Sequence, residues 1–165
     1  MDGMKISLSK AEIQQAAFVG VQRHLYAIKM KLPEEDGYRN AWQNRIEGAL
    51  AEMAFAGMMN LYWAGKADKL TKGDVNGWEI RMTSHAEGSL LLHRRDLDDA
   101  PYVLMTGGGG AYQVRGWIMG RDGKQEKYWG DRANQNRPAF WVPQSDLNPI
   151  ESHIDYITAH QGVTT

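Results

Sequence analysis

The sequence predicts a single α/β domain, a mixed β-sheet flanked by helices, on three observations. Two long helical stretches lead, a series of strand-like runs follows, and a helix-start signal closes the chain, the order expected of helices packed on a mixed sheet. The 165 residues are enough for one domain with a proper core. With 42% hydrophobic and 24% charged residues, the composition is that of a soluble globular protein rather than a disordered or fibrous one. Within the one domain, 1–165, an N-terminal helix and its connection are expected over 1–37, a core over 38–149, and a C-terminal helix or tail over 150–165.

Ser9-Lys10-Ala11-Glu12 has the form of a capping box. It predicts a helix from about Lys10 to Lys31, with Ile13, Ala17, Val21, Leu25 and Ile28 at helical spacing. Pro33 and the acidic run to Gly37 break it. A second helix is expected from about Tyr38 to Tyr62, its positive N-terminal end next to those acids. Between Gly48 and Met59 its only polar side chain is Glu52. A helix that is apolar all round is buried, so Glu52 is predicted to be desolvated, with Gly48, Ala49, Phe55 and Ala56 as its helical neighbours. A carboxylate in that position must be neutral, paired with a backbone group or an arginine, or bound to a metal.

Asn76-Gly77, between strand-forming residues, is the strongest short signal for a two-residue hairpin. The register it implies pairs Val75 with Trp78, Asp74 with Glu79, Gly73 with Ile80 and Lys72 with Arg81. Asp74, Glu79, Lys72 and Arg81 would share one face, and Val75, Trp78, Ile80 and Met82 the core face. Two carboxylates directly opposite each other have Cβ atoms about 5 Å apart and repel by on the order of 3 kcal/mol at an effective dielectric near 20. One takes a proton, Lys72 and Arg81 screen the pair, or a divalent cation sits between them; the cation is the sharpest of these.

Further strands are expected over Ser89–His93, Tyr102–Met105 and Tyr112–Met119. Gly107–Gly110 reads as a flexible hairpin loop, because no Lys-Ser/Thr follows it to make a phosphate cradle. Arg121–Arg137 reads as an exposed polar excursion and Pro138–Val142 as a short edge strand. Asn148-Pro149 starts a terminal helix running to about His160 and stopping at Gly162. The nine methionines read as core filler.

Several function classes drop out. Without cysteine there are no disulfides, zinc–thiolate sites or cysteine nucleophiles. No signal-peptide pattern opens the chain and no apolar run approaches the length of a membrane span, so a cytoplasmic protein with no membrane partner is expected. The formal net charge of −1 lends no support to a nucleic-acid partner, though it leaves room for a local basic patch.

A buried helical Glu, then a strand pair carrying Asp and Glu-x-Arg, resembles the PD-(D/E)XK nuclease superfamily. In that family a helical Glu, a strand Asp and a Glu-x-Lys on the next strand converge on one or two magnesium ions. Glu52 matches the helical acid, Asp74 the strand acid, and Glu79 and Arg81 the Glu-x-Lys element. Two departures stand out: Arg81 replaces the usual Lys, and no Pro precedes Asp74. Glu79-Ile80-Arg81, Tyr102–Gly107 and Gly116-Trp117-Ile118 also look like segments of small phage and mobile-element proteins of this type. The resemblance covers roughly the last three quarters of the chain.

It implies a restriction-endonuclease-like fold and a Mg2+- or Mn2+-dependent deoxyribonuclease, an endonuclease rather than an exonuclease, that processes phage or mobile-element DNA. Its setting would be the host cytoplasm if the chain is phage-encoded. Asp74 and Glu79 would hold the metal, the Ile80 carbonyl would be a further ligand, and Glu52 would complete the shell or orient a water. Arg81 cannot act as a base, because its guanidinium stays charged; it would contact the scissile phosphate or position the water. The alternative is a DNA-binding or regulatory protein that keeps the fold without cleavage. A homodimer is expected if both strands of a duplex are cut.

Candidate DNA contacts are Lys72, His93, Arg94 and Arg95, and in the excursion Lys124, Lys127, Arg132 and Arg137 around Tyr128 and Trp129. Basic residues among aromatics fit a nucleic-acid-binding loop; an ordinary loop whose aromatics pack on the core fits equally. His24, His85, His153 and His160 lack ligand spacing and read as surface or cap residues.

Overall fold

The capping box forms as written. Glu12 N–H donates to Ser9 Oγ at 3.3 Å, and Ser9 N–H donates to Glu12 Oε2 at 2.7 Å. They open α1 (Lys10–Lys29). A computed structural model describes residues 3–33, 40–67, 73–132 and 136–153.

The buried face of α1 is not the expected stripe. Leu25 and Ile28 are 53% and 57% exposed, whereas Ala16, Gly20, Arg23, His24 and Ala27 are buried. The cause is the approach of α2 (Ala41–Met58). A Cβ added at Gly20 would lie 2.5 Å from Ile46 Cα and 2.7 Å from the Arg45 carbonyl oxygen. Small side chains let two helix backbones come this close, and that packing decides which face turns inward. Gly20→Ala is therefore expected to destabilise the fold by about 1–3 kcal/mol, since the overlap outweighs alanine's better helix propensity. A thermal melt in which this variant matches or exceeds the wild type would contradict the close approach.

The all-round apolar character of α2 does correspond to burial: Ala49, Leu50, Ala51, Ala54, Phe55 and Ala56 are all in the core. The helix ends at Met58, short of the expected Tyr62; its expected start near Tyr38 lies outside the described residues.

Among the described residues two sheets form rather than one. The larger joins β1 (Lys5–Ser7), β5 (Ala111–Met119), β4 (Pro101–Gly108) and β2 (Glu79–Thr83) in that spatial order. β2 runs parallel to β4 while β5 is antiparallel to both β4 and β1, so the sheet is mixed. β1 had no strong signal in its three residues. The smaller sheet, β3 (Leu90–Leu92), β7 (Ala139–Val142) and β6 (Trp129–Gly130), places β7 in the middle. The expected edge strand over 138–142 is thus an interior strand, paired on both sides.

Side-chain alternation in the larger sheet sorts two cores. Ile80, Val103, Met105, Val114 and Trp117 face the helices with Phe55 and Trp78. Tyr102, Leu104 and Ile118 face the smaller sheet, against Leu90, Leu92, Phe140 and Val142. The smaller sheet covers only part of that second face.

Other expectations meet the structure unevenly. Gly109 and Gly110 make the β4–β5 turn expected within Gly107–Gly110, and Gly109 N–H donates to the Glu47 carboxylate. The polar excursion contains a short helix, α3 (Gly120–Gly123), and β6, with Tyr128 buried in the second core and Trp129 packed on Phe140. Its aromatics therefore support the fold. The terminal helix signal is followed by a turn at Ile150 and Glu151 and by helical Ser152 and His153; the stretch to His160 and Gly162 lies outside the described residues.

Two histidines read as surface residues are buried. His24 stacks on Trp42 at 4.2 Å, and His153 lies 4.0 Å from Trp78 and 5.1 Å from Trp117. Burial holds the His153 imidazole below its ordinary value. The unfolded chain therefore binds a proton more readily than the native one, and stability from this group is complete above about pH 6.5 and lost as the pH falls through the native value. His153→Phe is expected to flatten that part of the pH–stability curve, measured by denaturant titration; an unchanged slope would assign it to other groups.

Candidate functional site

The Asn76-Gly77 turn forms with φ of 45° and 87°, the two left-handed residues of a type I′ hairpin, and Val75 pairs with Trp78 as expected. Beyond that pair the register departs from the prediction. Asp74 N–H and Val75 N–H both donate to the Trp78 carbonyl, at 2.7 and 3.1 Å. Two residues against one is a β-bulge, so Asp74 does not sit opposite Glu79 as a simple cross-strand partner. Its carboxylate turns inward instead, and Oδ2 accepts the Ile80 N–H at 2.8 Å. The side chain takes the place that a neighbouring strand's carbonyl would have filled. Lys72, expected to screen the pair and to contact DNA, lies outside the described residues.

Asp74, Glu79, Arg81, His93, Arg95 and Asp96 meet around one open cleft of about 700 Å3. β2 supplies Glu79 and Arg81 through strand alternation, the bulged hairpin supplies Asp74, and the loop after β3 supplies His93, Arg95 and Asp96. Asn44 of α2 and Trp141 of β7 complete its walls. Arg81 is the hub of the floor. Its guanidinium lies 3.3 Å from Asp96 Oδ2, 3.7 Å from Glu79 Oε2 and 5.0 Å over the Tyr102 ring. Beneath it, the Tyr102 phenol is pushed up to about 12, by burial first and then by the negative Asp96 and Glu79.

Asp96 was not anticipated. Oδ2 accepts the His93 N–H at 2.8 Å, an Asp closing a tight turn onto the residue three before it, and the same oxygen meets Arg81. The Asp in Arg94-Arg95-Asp96 was the available signal, but only the fold brings it to Arg81.

Glu52 does not join this cleft. It is 4% exposed and clamped by Arg23, Nη1 to Oε1 at 2.6 Å and Nη2 to Oε2 at 2.8 Å, with Trp63 Nε1 donating to Oε2 at 3.0 Å. Of the states open to a buried carboxylate, the structure contains the arginine pair. Its oxygens are turned to Arg23 of α1 and to Trp63 rather than to the cleft. Among the described residues no group of three or more His, Asp or Glu side chains is placed to hold a metal ion.

The oxygens that would meet a hard cation are those of Asp74 and Glu79 and the Ile80 carbonyl, which accepts from Arg81 Nη1 at 3.4 Å. Ile80 N–H points at Asp74, away from β4, and a strand residue's carbonyl lies on the same side as its N–H. Two carboxylates with a carbonyl suit Mg2+, which keeps several waters and binds through one or two carboxylates.

The expected basic contacts divide. Arg95 and His93 line the cleft. Arg94 stacks on Trp129, 4.1 Å from the ring centroid. Lys124 is spent on structure, donating to the Asp96 carbonyl at 2.6 Å and paired with Asp98. Lys127 packs on Tyr128 beside Asp146. Arg132 is exposed and away from the cleft lining. The excursion is therefore not the wall of the site; the loop after β3 is.

The fold and cleft together define a compact mixed α/β domain with an acid- and arginine-lined cleft beside a parallel strand pair. No family model matches the chain, and neither the curated proteins nor the solved structures give a significant match. No helix among the described residues is long and apolar enough to cross a membrane.

Proposed function

We propose that the protein is a divalent-metal-dependent nuclease acting on DNA within a strand rather than from its ends. The observation that carries this reading is the convergence of Asp74, Glu79 and Arg81 on one open cleft. Asp74, Glu79 and the Ile80 carbonyl would hold Mg2+ or Mn2+. A metal so held supplies charge stabilisation at the phosphate and a more acidic water. Asp74 is oriented for this by its bond to Ile80 N–H. Glu79 is held near Arg81, and Arg81 is oriented by Asp96. The guanidinium is placed to meet a phosphate oxygen and, always protonated, does not take the water's proton. The open shape of the cleft suits an internal phosphodiester, and the sequence resemblance supports phage or mobile-element DNA as the substrate.

A second reading is favoured by one specific observation: Glu52 is engaged by Arg23, so a complete three-acid set is missing. On that reading the protein binds DNA or regulates another protein without cutting. The deciding experiment incubates supercoiled plasmid, linear duplex and single-stranded DNA with Mg2+ or Mn2+ against EDTA, with Asp74→Asn alongside. Cleavage that requires metal and is lost in the variant is expected. A folded protein that shifts DNA on a gel but cuts none of the substrates would transfer the assignment to the binding protein.

A further inference from the structure

Beyond the smaller sheet, the larger sheet's second face carries a row of polar side chains, of which Thr106 is buried, Thr83 and Gln113 are half-buried and Lys5 is exposed. Register pairs Thr83 with Thr106, Thr106 with Gln113 and Gln113 with Lys5, so these four lie on one face across all four strands. Neighbouring strands are about 4.8 Å apart, which makes the row roughly 15 Å long, the axial rise of about four nucleotides of one strand. At its β2 end the row begins two residues after Arg81, in the cleft. The segment 83–86 is shared: Thr83 and His85 line the cleft, whereas Ser84 and Ala86 line a second concavity of about 330 Å3.

Arg115 dominates that concavity. It is half-buried, and its Nε donates to Thr106 Oγ1 at 2.7 Å, an oxygen on a residue only 3% exposed. The bond restrains the guanidinium through Nε, and Arg115 lines the pocket. The partnering differs from that of the other structural arginines: Arg23 has Glu52, Arg81 has Asp96 and Glu79, and Arg121 has Asp99. Among the described residues no carboxylate pairs with Arg115. A partly desolvated cation in a concavity also lined by Ser7, Ser84, Thr106 and Lys5, with no carboxylate paired to it among the described residues, is a site for an oxyanion, and a planar fork suits phosphate above all.

We infer that this concavity is a phosphate subsite, centred on Arg115 with Lys5 and Ser84, for the nucleic-acid strand whose neighbouring phosphate lies in the cleft at Arg81. The inference rests on the nucleic-acid reading above and adds the direction of the strand: along this polar row of the sheet, from β2 towards β1, and not over the polar excursion.

The test is the binding of a fluorescent oligonucleotide, single-stranded and duplex, followed by anisotropy in EDTA over a range of NaCl concentrations. Arg115→Ala is expected to weaken binding on the order of tenfold and to lower the slope of log K against log salt by about 1, as loss of one phosphate contact does. Arg115→Lys keeps the charge and is expected to recover the slope, which separates a lost contact from a disturbed fold. Arg121→Ala removes the same charge from α3 and is expected to leave both quantities unchanged. Wild-type affinity and slope in Arg115→Ala, with DNA still bound, would overturn the subsite and leave the cleft reading intact. Equal losses in the Arg115 and Arg121 variants would reduce it to diffuse electrostatics and likewise overturn it. Arg115-dependent binding of inorganic phosphate without any effect on DNA would make it a free-anion site. A wild type that binds no DNA would remove both this inference and the function on which it rests.

Discussion

Glu52→Ala is expected to destabilise the protein by about 3–5 kcal/mol, the usual result of leaving one member of a buried ion pair without its partner. For a chain of this size that lowers the melting temperature by on the order of 10 °C. The variant strands the Arg23 guanidinium between α1 and α2, and removes the acceptor of Trp63 Nε1 as well. Arg23→Ala should approach the same loss from the other side. Arg23→Met with Glu52→Leu should recover most of it, because an apolar pair of similar volume has no charge to desolvate. This cycle also decides what Glu52 is for. If Glu52→Ala melts like the wild type while weakening Mn2+ binding, the acid is a ligand after all, and the Arg23 clamp opens when metal is bound.

Asp74→Asn is expected to lower metal-dependent cleavage by on the order of a hundredfold or more, from the loss of several kcal/mol of charge stabilisation at about 1.4 kcal/mol per tenfold. The amide is the more telling substitution. Its oxygen can still accept the Ile80 N–H, so the bulged hairpin keeps its clamp while the charge is removed. Stability should change little and DNA affinity should hold or rise, since an anion has left a phosphate site. A parallel loss of folding and cleavage would make Asp74 a purely structural clamp. Arg81→Lys bears on the same chemistry: lysine can lose a proton where arginine cannot, so an added ionisation in the pH–rate profile is expected for that variant alone.

Local chemistry made much of this protein legible. The capping box located α1, Asn-Gly located the hairpin, and an unbroken apolar run declared α2 buried with Glu52 inside it. Those signals act within a few residues, where backbone preference and solvation leave little choice. Misreadings came where a distant partner decided. The apolar stripe of Leu25 and Ile28 yields to small residues because the α2 backbone packs against Gly20. Lys5–Ser7 becomes a strand only because β5 has an edge for it. Pro138–Val142 has the composition of an edge strand, and is interior because β3 and β6 reach it from opposite sides.

The candidate site divides in the same way. From residue order alone came the three neighbours Asp74, Glu79 and Arg81, held together by one tight turn, and the burial of Glu52. Which carboxylates share a cleft was decided only by the tertiary structure. Arg23 lies 29 residues from Glu52 and Asp96 lies 15 from Arg81, and no short-range pattern couples such pairs. The bulge at Asp74 changes the register by one position and turns its carboxylate onto Ile80, an effect of hydrogen-bond geometry rather than of residue type. Composition and turn chemistry thus determined the elements and their reactive side chains, while packing between distant elements determined which of those side chains meet.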